Sequence, residues 1–201
     1  MADVIYCSVN GRVVTLCDTP DVQPEHMYQK DQTVMITGLR QHQLYWEDAE
    51  AYVPLKSSME QDFKKLYDSG FRKFLVCGKP GIEMLAAEVV CDMKSHYDMV
   101  ASMYVPYNGF EYYLKAEEIF GQAYYWKLQN RLDEVRVITR QVDPGNTGVR
   151  RMKAVTRCLT KAIDHSSRLV VYSSKGKDDS YIKNAVTQAK ESGIPIERHN
   201  L

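Results

Sequence analysis

Hydrophobic positions along the chain recur with two spacings, and the spacing separates predicted strands from predicted helices. Short apolar runs predict buried strands at 33–37, 74–77, 99–105, 134–139, 169–172 and 194–198. Longer stretches between them carry apolar residues three and four positions apart, which is the spacing of one helix face. After Gly81 this face consists of Ile82, Leu85, Ala86, Val89, Val90 and Met93.

The same spacing predicts three further helices. Ser57 and Glu60 fit the S-x-x-E pattern of a capping box, so the first of these helices is predicted to begin there. Gly70 is predicted to end it. Its apolar face consists of Met59, Phe63, Leu66 and Tyr67. The other two faces consist of Met152, Val155, Leu159, Ala162 and Ile163, and of Tyr181, Ile182, Ala185, Val186 and Ala189.

Strands that alternate with helices predict an α/β fold with a mainly parallel sheet and right-handed crossovers. The N-terminal residues differ, because two apolar runs within 2–17 flank Asn10 and Gly11, a strong signal for a β-hairpin. We therefore expect residues 1–30 to form an N-terminal hairpin and connector, and residues 31–201 to form the main domain. An isolated hairpin is barely stable, so this one should pack on the main domain or pair with another chain.

Three glycine-containing loops follow predicted strands. They begin at Gly38, at Gly78 and at Ser173. In a parallel sheet, ligands bind outside the carboxyl ends of the strands, and the N-terminus of a following helix favours an anion. The loops therefore predict one pocket for a phosphate-bearing ligand.

Composition narrows the class of protein. The chain has 201 residues, with 26 Lys and Arg against 26 Asp and Glu, so its formal net charge is zero. A polyanion binder usually has a basic surplus, and nucleic acid is therefore not expected as a partner. The five cysteines form no C-x-x-C pair, which argues against zinc and fits a reduced, cytoplasmic protein. No apolar run reaches the length of a membrane helix, so no membrane partner is expected.

Aromatic residues are concentrated in one segment. Residues 104–126 contain nine rings: Tyr104, Tyr107, Phe110, Tyr112, Tyr113, Phe120, Tyr124, Tyr125 and Trp126. Most single rings of this kind pack in a core. Rings just past a strand can also stack on a nucleobase or form a subunit contact. The cluster and the hairpin together predict a homo-oligomer, most simply a dimer.

Four segments resemble a known family. They are ITGLRQHQL (residues 36–44), CGKPGIEMLAAE (77–88), VPYNGFEYYLK (105–115) and IDHSSRLVVYSSKG (163–176). In this order they resemble the YpsA-like branch of the SLOG superfamily, which also includes DprA and the Lonely Guy enzymes. The resemblance covers about residues 33–198. It implies a Rossmann-like three-layer sandwich whose loops form a nucleotide pocket.

The resemblance and the loops together predict a ligand-binding set with no catalytic residue, no metal ligand and no cofactor. The set is Thr37, Gly38, Arg40, Gly78, Lys79, Gly81, Glu83, Pro106, Tyr107, Ser173, Ser174, Lys175 and Gly176. The chain lacks the Pro-Gly-Gly-x-Gly-Thr-x-x-Glu run of the Lonely Guy enzymes, so their phosphoribohydrolase activity is not expected. SLOG-type domains sense nucleotide-derived signals in bacterial immunity, which implies a sensor or a sponge for an ADP-ribose-type or cyclic nucleotide ligand.

Individual residues in the set carry alternative interpretations. Arg40 could pair with a phosphate or lie on the surface. Glu83, in the first turn of a helix, should stay ionised and could accept a ribose hydroxyl. Asp178 and Asp179 stand where a helix N-cap is needed. Cys77 is expected to be a small buried hydrophobe. The open alternatives to a non-catalytic binder are a nucleotide-cleaving hydrolase and a nucleic-acid or protein interaction module.

Overall fold

The computed structural model describes residues 6–9, 12–15, 29–44, 50–115, 119–139 and 148–201. An antiparallel hairpin of β1 (Tyr6–Val9) and β2 (Arg12–Thr15) comes first. This pairing confirms the predicted hairpin, although its Asn-Gly turn and the connector at 16–28 lie outside the described residues.

The central sheet has six strands, all parallel, as the alternation of elements predicted. They are β3 (Thr33–Gly38), β4 (Lys73–Val76), β5 (Val100–Tyr107), β6 (Glu134–Thr139), β7 (Arg168–Ser173) and β8 (Ile196–Asn200). Their order across the sheet is β6-β5-β4-β3-β7-β8. β2 lies beside the edge strand β6, with Cα atoms within 8 Å.

The helices are α1 (Gln41–Leu44), α2 (Val53–Asp68), α3 (Ile82–Met93), α4 (Gln122–Gln129), α5 (Val149–Asp164) and α6 (Ser180–Glu191). Short 3₁₀ turns occupy Lys30–Gln32, Glu50–Tyr52 and Phe110–Tyr113. The chain moves one way across the sheet from β3 to β6 and the other way from β6 to β8. Right-handed crossovers therefore place α2, α3 and α4 on one face of the sheet and α5 and α6 on the other.

The sheet interior is apolar because β3, β4, β5 and β7 are covered on both faces. Val34, Met35 and Ile36 on β3 are fully buried, as are Val170 and Val171 on β7. The helix after Gly81 is buried along almost its whole length, with Ile82, Leu85, Val89 and Val90 at 0% exposure. The two central strands and α3 therefore hold the adjoining loops on a rigid base.

Three local predictions were wrong. The capping box does not begin a helix, because α2 starts four residues earlier, with Pro54 in its first turn, a favourable position for proline. β5 does not end before Pro106 but continues to Tyr107. The missing N–H of Pro106 is tolerated there because β4 pairs with β5 only as far as Met103. Met152 was placed on the buried stripe of its helix but is 66% exposed.

Candidate functional site

The direction of the chain reverses beside β3, which is flanked by β4 on one side and by β7 on the other. Such a reversal leaves a crevice at the carboxyl ends of the strands, where open α/β sheets bind their ligands. The three predicted loops follow β3, β4 and β7, so the sheet order brings them to one place.

Two glycines allow the loops to touch each other. A Cβ on Gly81 would lie 2.6 Å from the backbone N of Gln41 and from the carbonyl O of Leu39, and its φ is +111°. The backbone N–H groups of Ile82 and Gln41 donate to the carbonyls of Leu39 and Pro80, each at 3.1 Å. Gly81 therefore serves contact between two loops, rather than close approach of a ligand.

Gly38 is needed for a similar reason. A Cβ there would lie 2.3 Å from the carbonyl oxygen of Tyr172 on β7 and 2.7 Å from the Ile82 side chain. The next residue, Leu39, donates its N–H to the same Tyr172 carbonyl at 3.0 Å. The loop after β3 is thus packed between β7 and the start of α3.

Gln43 closes the crevice on the side of the β7 loop. Its Nε2 donates to the carbonyl of Lys177 at 2.8 Å, and its Oε1 accepts the backbone N–H of Arg40 at 2.9 Å. One side chain thereby fixes the distance between the loop after β3 and the loop after β7. Gln43 was not predicted as a site residue, because a glutamine in a polar loop has no distinguishing sequence pattern.

Glu83 is buried and fully engaged. Its Oε1 accepts the Thr37 hydroxyl at 2.8 Å, while Oε2 accepts the backbone N–H groups of Cys77 and Lys79 at 2.9 and 3.1 Å. The side chain is 1% exposed, and burial raises its pKa, a shift opposite to the one expected from the helix dipole. With three donors already bound, Glu83 orders the loops after β3 and β4, and this geometry does not support ribose recognition.

Two cationic side chains converge on one ring. The Arg40 guanidinium and the Lys79 ammonium lie 5.9 and 4.9 Å from the ring centroid of Tyr181, in the first turn of α6. Burial, followed by the nearby charge of Arg40, lowers the pKa of Lys79. The crevice therefore holds two close positive charges, and an anion between them would relieve their repulsion.

Asp179 stabilises one of these cations. Its Oδ2 lies 2.8 Å from Nε of Arg40, while its Oδ1 accepts the backbone N–H groups of Tyr181 and Ile182 at 2.9 Å. The N-cap predicted at this position is confirmed for Asp179. Asp178 instead accepts hydrogen bonds from both terminal nitrogens of the Arg198 guanidinium, each at 3.0 Å.

The loop after β7 is partly bound to the end of the chain. Ser173 is 6% exposed and its hydroxyl accepts Nη1 of Arg198 at 3.3 Å, while Ser174 donates to the carbonyl of Leu201 at 2.9 Å. Lys175 and Gly176 form the exposed tip. The loop therefore offers backbone and Lys175, while its two hydroxyls already have protein partners.

Pro106 and Tyr107 end β5, which is separated by β4 from β3, the strand that precedes Arg40. Tyr107 is 4% exposed, and its ring packs 5.6 Å from Phe110 and 5.9 Å from Tyr113. Gly78, whose φ is +71°, follows β4 and faces the Met103 side chain on β5. The rings of the aromatic segment that are more than 40% exposed are those of Tyr112, Tyr113 and Trp126.

Other chemistry at the crevice is limited among the residues that the structure describes. Cys77 is 1% exposed, as predicted, and Cys158 beneath it is fully buried, which raises the pKa of the Cys158 thiol. No group of three or more His, Cys, Asp or Glu side chains in the described ranges could hold a metal ion. No helix in the same ranges has the length and apolarity to span a bilayer.

A family model decides the relationship: the model of the YpsA family, described as the YspA SLOG family, matches residues 34–198. The chain belongs to this family. A UPF0398 protein of Staphylococcus epidermidis is 35% identical over 80 residues, and one of Staphylococcus saprophyticus is 34% identical over the same length. Each match covers 38% of this chain and 43% of the relative, so it spans less than half the length of either protein.

A UPF0398 protein of Oceanobacillus iheyensis is 26% identical over 77 residues, which cover 37% of this chain and 42% of the relative. Membership confirms the resemblance found in the sequence, and the parallel sheet confirms the Rossmann-like fold that it implied. SLOG membership points to nucleotide-related binding.

Proposed function

We propose that this chain binds a nucleotide-derived small molecule, of the ADP-ribose or cyclic nucleotide type, in the crevice between the loops after β3, β4 and β7. The observation that carries the proposal is the convergence of Arg40 and Lys79 on Tyr181 at the point where the strand order reverses. Two partly desolvated cations suit a phosphate group.

The chain holds this ligand without cleaving it. Glycosidic and phosphate cleavage normally needs a positioned acid or base. Within the described part of the chain, three carboxylates near the crevice have partners: Glu83 has three donors, Asp179 contacts Arg40 and the start of α6, and Asp178 binds Arg198. These partners favour a sensor or a sponge over a hydrolase.

The test combines calorimetry with chromatography of the released ligand. ADP-ribose, cyclic dinucleotides and ordinary nucleotides are titrated into the protein, which is then heat-denatured. We expect one of these classes to bind in a one-to-one ratio and to be recovered intact. Product accumulating beyond one equivalent per chain would replace this proposal by the hydrolase.

The site itself is tested by a matched pair of lysine variants. Lys79→Met removes the charge but keeps the alkyl chain beside Tyr181, whereas Lys190→Met removes an exposed lysine near the end of α6. Affinity should fall for Lys79→Met alone. An equal affinity in both variants would place the ligand elsewhere.

A further inference from the structure

α5 carries an unusual charge distribution for a protein with no net charge. Its sixteen residues include five basic side chains, at Arg150, Arg151, Lys153, Arg157 and Lys161, and a single acidic one, at Asp164. Basic residues in the first turn of a helix oppose its dipole, and like charges four residues apart repel each other. These basic residues therefore do not stabilise the helix, and we expect them to serve another role.

Three of these residues form a regular line on the outer face of the helix. Lys153, Arg157 and Lys161 are all exposed and stand four residues apart. Among the residues that the structure describes, none of the three has an ion-pair partner. Arg150 is exposed one turn before them, and the row from Arg150 to Lys161 extends about 16 Å along the helix.

Apolar surface lies directly beside this line. Val149 is 59% exposed and Met152 is 66% exposed, both in the first turn of α5. A shallow groove runs from them along the helix, and Lys153, Thr156, Arg157, Thr160 and Lys161 line the rest of it. We call these seven residues the α5 surface.

We propose that the α5 surface docks an acidic amphipathic helix of a partner protein. Charge complementarity requires acidic groups opposite Lys153, Arg157 and Lys161. The basic residues are spaced about 6 Å apart along α5. In a second helix, residues four positions apart have the same spacing of about 6 Å, whereas residues on the same side of a strand are about 6.6–6.8 Å apart. Acidic residues at every fourth position of a helix therefore align with all three.

The apolar end of the groove favours protein over nucleic acid. Val149 and Met152 offer aliphatic surface that a phosphate backbone does not use, whereas an apolar side chain of a partner protein can pack on it. One face of the Tyr113 ring is occupied by Arg151, whose guanidinium lies 3.6 Å from the ring centroid. An apolar side chain of the partner helix would fill the position beside Met152.

Fluorescence anisotropy with defined probes tests the proposal. The first probe is a synthetic helical peptide with Glu at every fourth position and an adjoining Leu stripe. The second is a peptide of the same composition in scrambled order, and the third is an oligothymidylate of equal charge. We expect the first probe to bind about tenfold more tightly, or better, than either of the others.

Three variants of the full chain locate the binding. Lys153→Glu/Arg157→Glu/Lys161→Glu should weaken binding of the first peptide about tenfold or more, whereas Lys183→Glu/Lys190→Glu, on exposed positions of α6, should leave it unchanged. Met152→Ser, with all charges retained, should weaken binding severalfold. Circular dichroism confirms that each variant is folded.

Several outcomes would overturn the proposal. They are no binding of the first peptide, equal or tighter binding of the scrambled peptide or the oligothymidylate, and unchanged binding by the triple variant. Light scattering that shows a wild-type dimer and a monomeric triple variant would instead assign the surface to a second copy of this chain. The nucleotide affinity of the crevice should be the same in all these variants.

Discussion

Positive charge is held differently at the crevice and on the α5 surface. Arg40 lies 2.8 Å from Asp179, and Lys79 lies beside Tyr181 where burial lowers its pKa. On α5, by contrast, Lys153 and Arg157 are exposed and have no ion-pair partner within the described part of the chain. Charge at the crevice is therefore integrated with the fold through contacts with Asp179 and Tyr181. Charge on α5 can be changed without disturbing the fold.

The largest expected effect is that of Gly81→Val. The substitution forces a branched side chain to a φ of +111° and places its Cβ 2.6 Å from backbone atoms of the neighbouring loop. Backbone strain of about 1–3 kcal/mol and overpacking of about 1–3 kcal/mol should add, so we expect a loss of about 2–6 kcal/mol. Urea unfolding measures it.

Gly176→Ala is the matched control for Gly81→Val. Gly176 also has a positive φ, of +81°, but an added Cβ would meet no atom within 4 Å. Only strain of about 1–2 kcal/mol is expected. If the two variants were equally destabilised, the loop contact at Gly81 would have no energetic role.

Glu83→Ala should have the next largest effect on stability. It leaves the buried N–H group of Cys77 without its acceptor, at about 1–3 kcal/mol, and it also removes the acceptor of the partly buried N–H group of Lys79. Glu83→Gln should retain most of the stability, because its carbonyl can accept both N–H groups and its amide can donate to the Thr37 hydroxyl. Thermal melting of the three proteins compares them. A Gln variant as unstable as the Ala variant would show that the negative charge itself is required.

Burial of Glu83 also fixes the sign of its contribution to stability against pH. Its pKa in the folded protein is raised above the value of the unfolded chain. The folded state therefore binds this proton more tightly, and the contribution is favourable below the unfolded pKa of about 4.3 and lost as pH rises through the folded pKa. Glu83→Gln should remove this part of the pH dependence.

Some features of the fold and the site were predictable from the sequence, and others depend on contacts between distant segments. The sheet was predictable because the strands covered on both faces are continuous apolar runs, and α3 was predicted with its observed bounds. The location of the crevice followed from glycines after the strands. The partners of Glu83 could not be predicted in this way. An acidic residue in the first turn of a helix is already explained by its favourable interaction with the helix dipole, so the sequence gives no reason to expect further partners. The carboxylate binds a strand end 46 residues away at Thr37, a contact that only the sheet order creates.

The prediction that Met152 is buried failed for a different reason. Its spacing from Val155 and Leu159 fits a buried stripe, but it stands in the first turn of α5 and is 66% exposed. Periodicity defines the direction of a side chain around the helix and carries no information about whether the sheet extends beneath it. Tyr181 shows the reverse case: it was assigned to the apolar stripe of α6, and its ring is also the contact for Arg40 and Lys79.

A change at the crevice cation should reduce affinity rather than stability. Lys79→Met removes one charged contact to the proposed phosphate, worth about 1.5–3 kcal/mol, which corresponds to a loss of affinity of about 10- to 150-fold. Calorimetry with the ADP-ribose or cyclic nucleotide ligand measures the loss. A fall of less than about twofold would contradict a direct contact between Lys79 and the ligand.

The affinity of the wild-type protein should also depend on pH in a defined direction. In the free protein burial and Arg40 lower the pKa of Lys79 below its ordinary value of about 10.4, and a bound anion would raise it again. Binding then takes up a proton between the two pKa values, so affinity falls as pH rises through that window. Lys79→Met should abolish the dependence, which calorimetry in buffers of different ionisation enthalpy would detect.

The smallest effect is expected on α5, where one substitution should separate stability from binding. Arg157→Glu places a carboxylate one turn from both Lys153 and Lys161, so two repulsive pairs become attractive ones. Each such pair contributes about 0.2–0.5 kcal/mol, and the variant should therefore be slightly more stable than the wild-type protein in low-salt urea unfolding. Added salt should reduce the gain, because exposed pairs are screened.

Arg157→Gln is the control, since it removes the repulsion without adding attraction, and its stability should fall between those of the wild-type protein and Arg157→Glu. A destabilised Arg157→Glu protein would mean that Arg157 already has a stabilising partner, and its charge could not then be assigned to docking. A stabilised variant that no longer binds the acidic amphipathic peptide would show that the positive charge on α5 opposes folding and serves the partner.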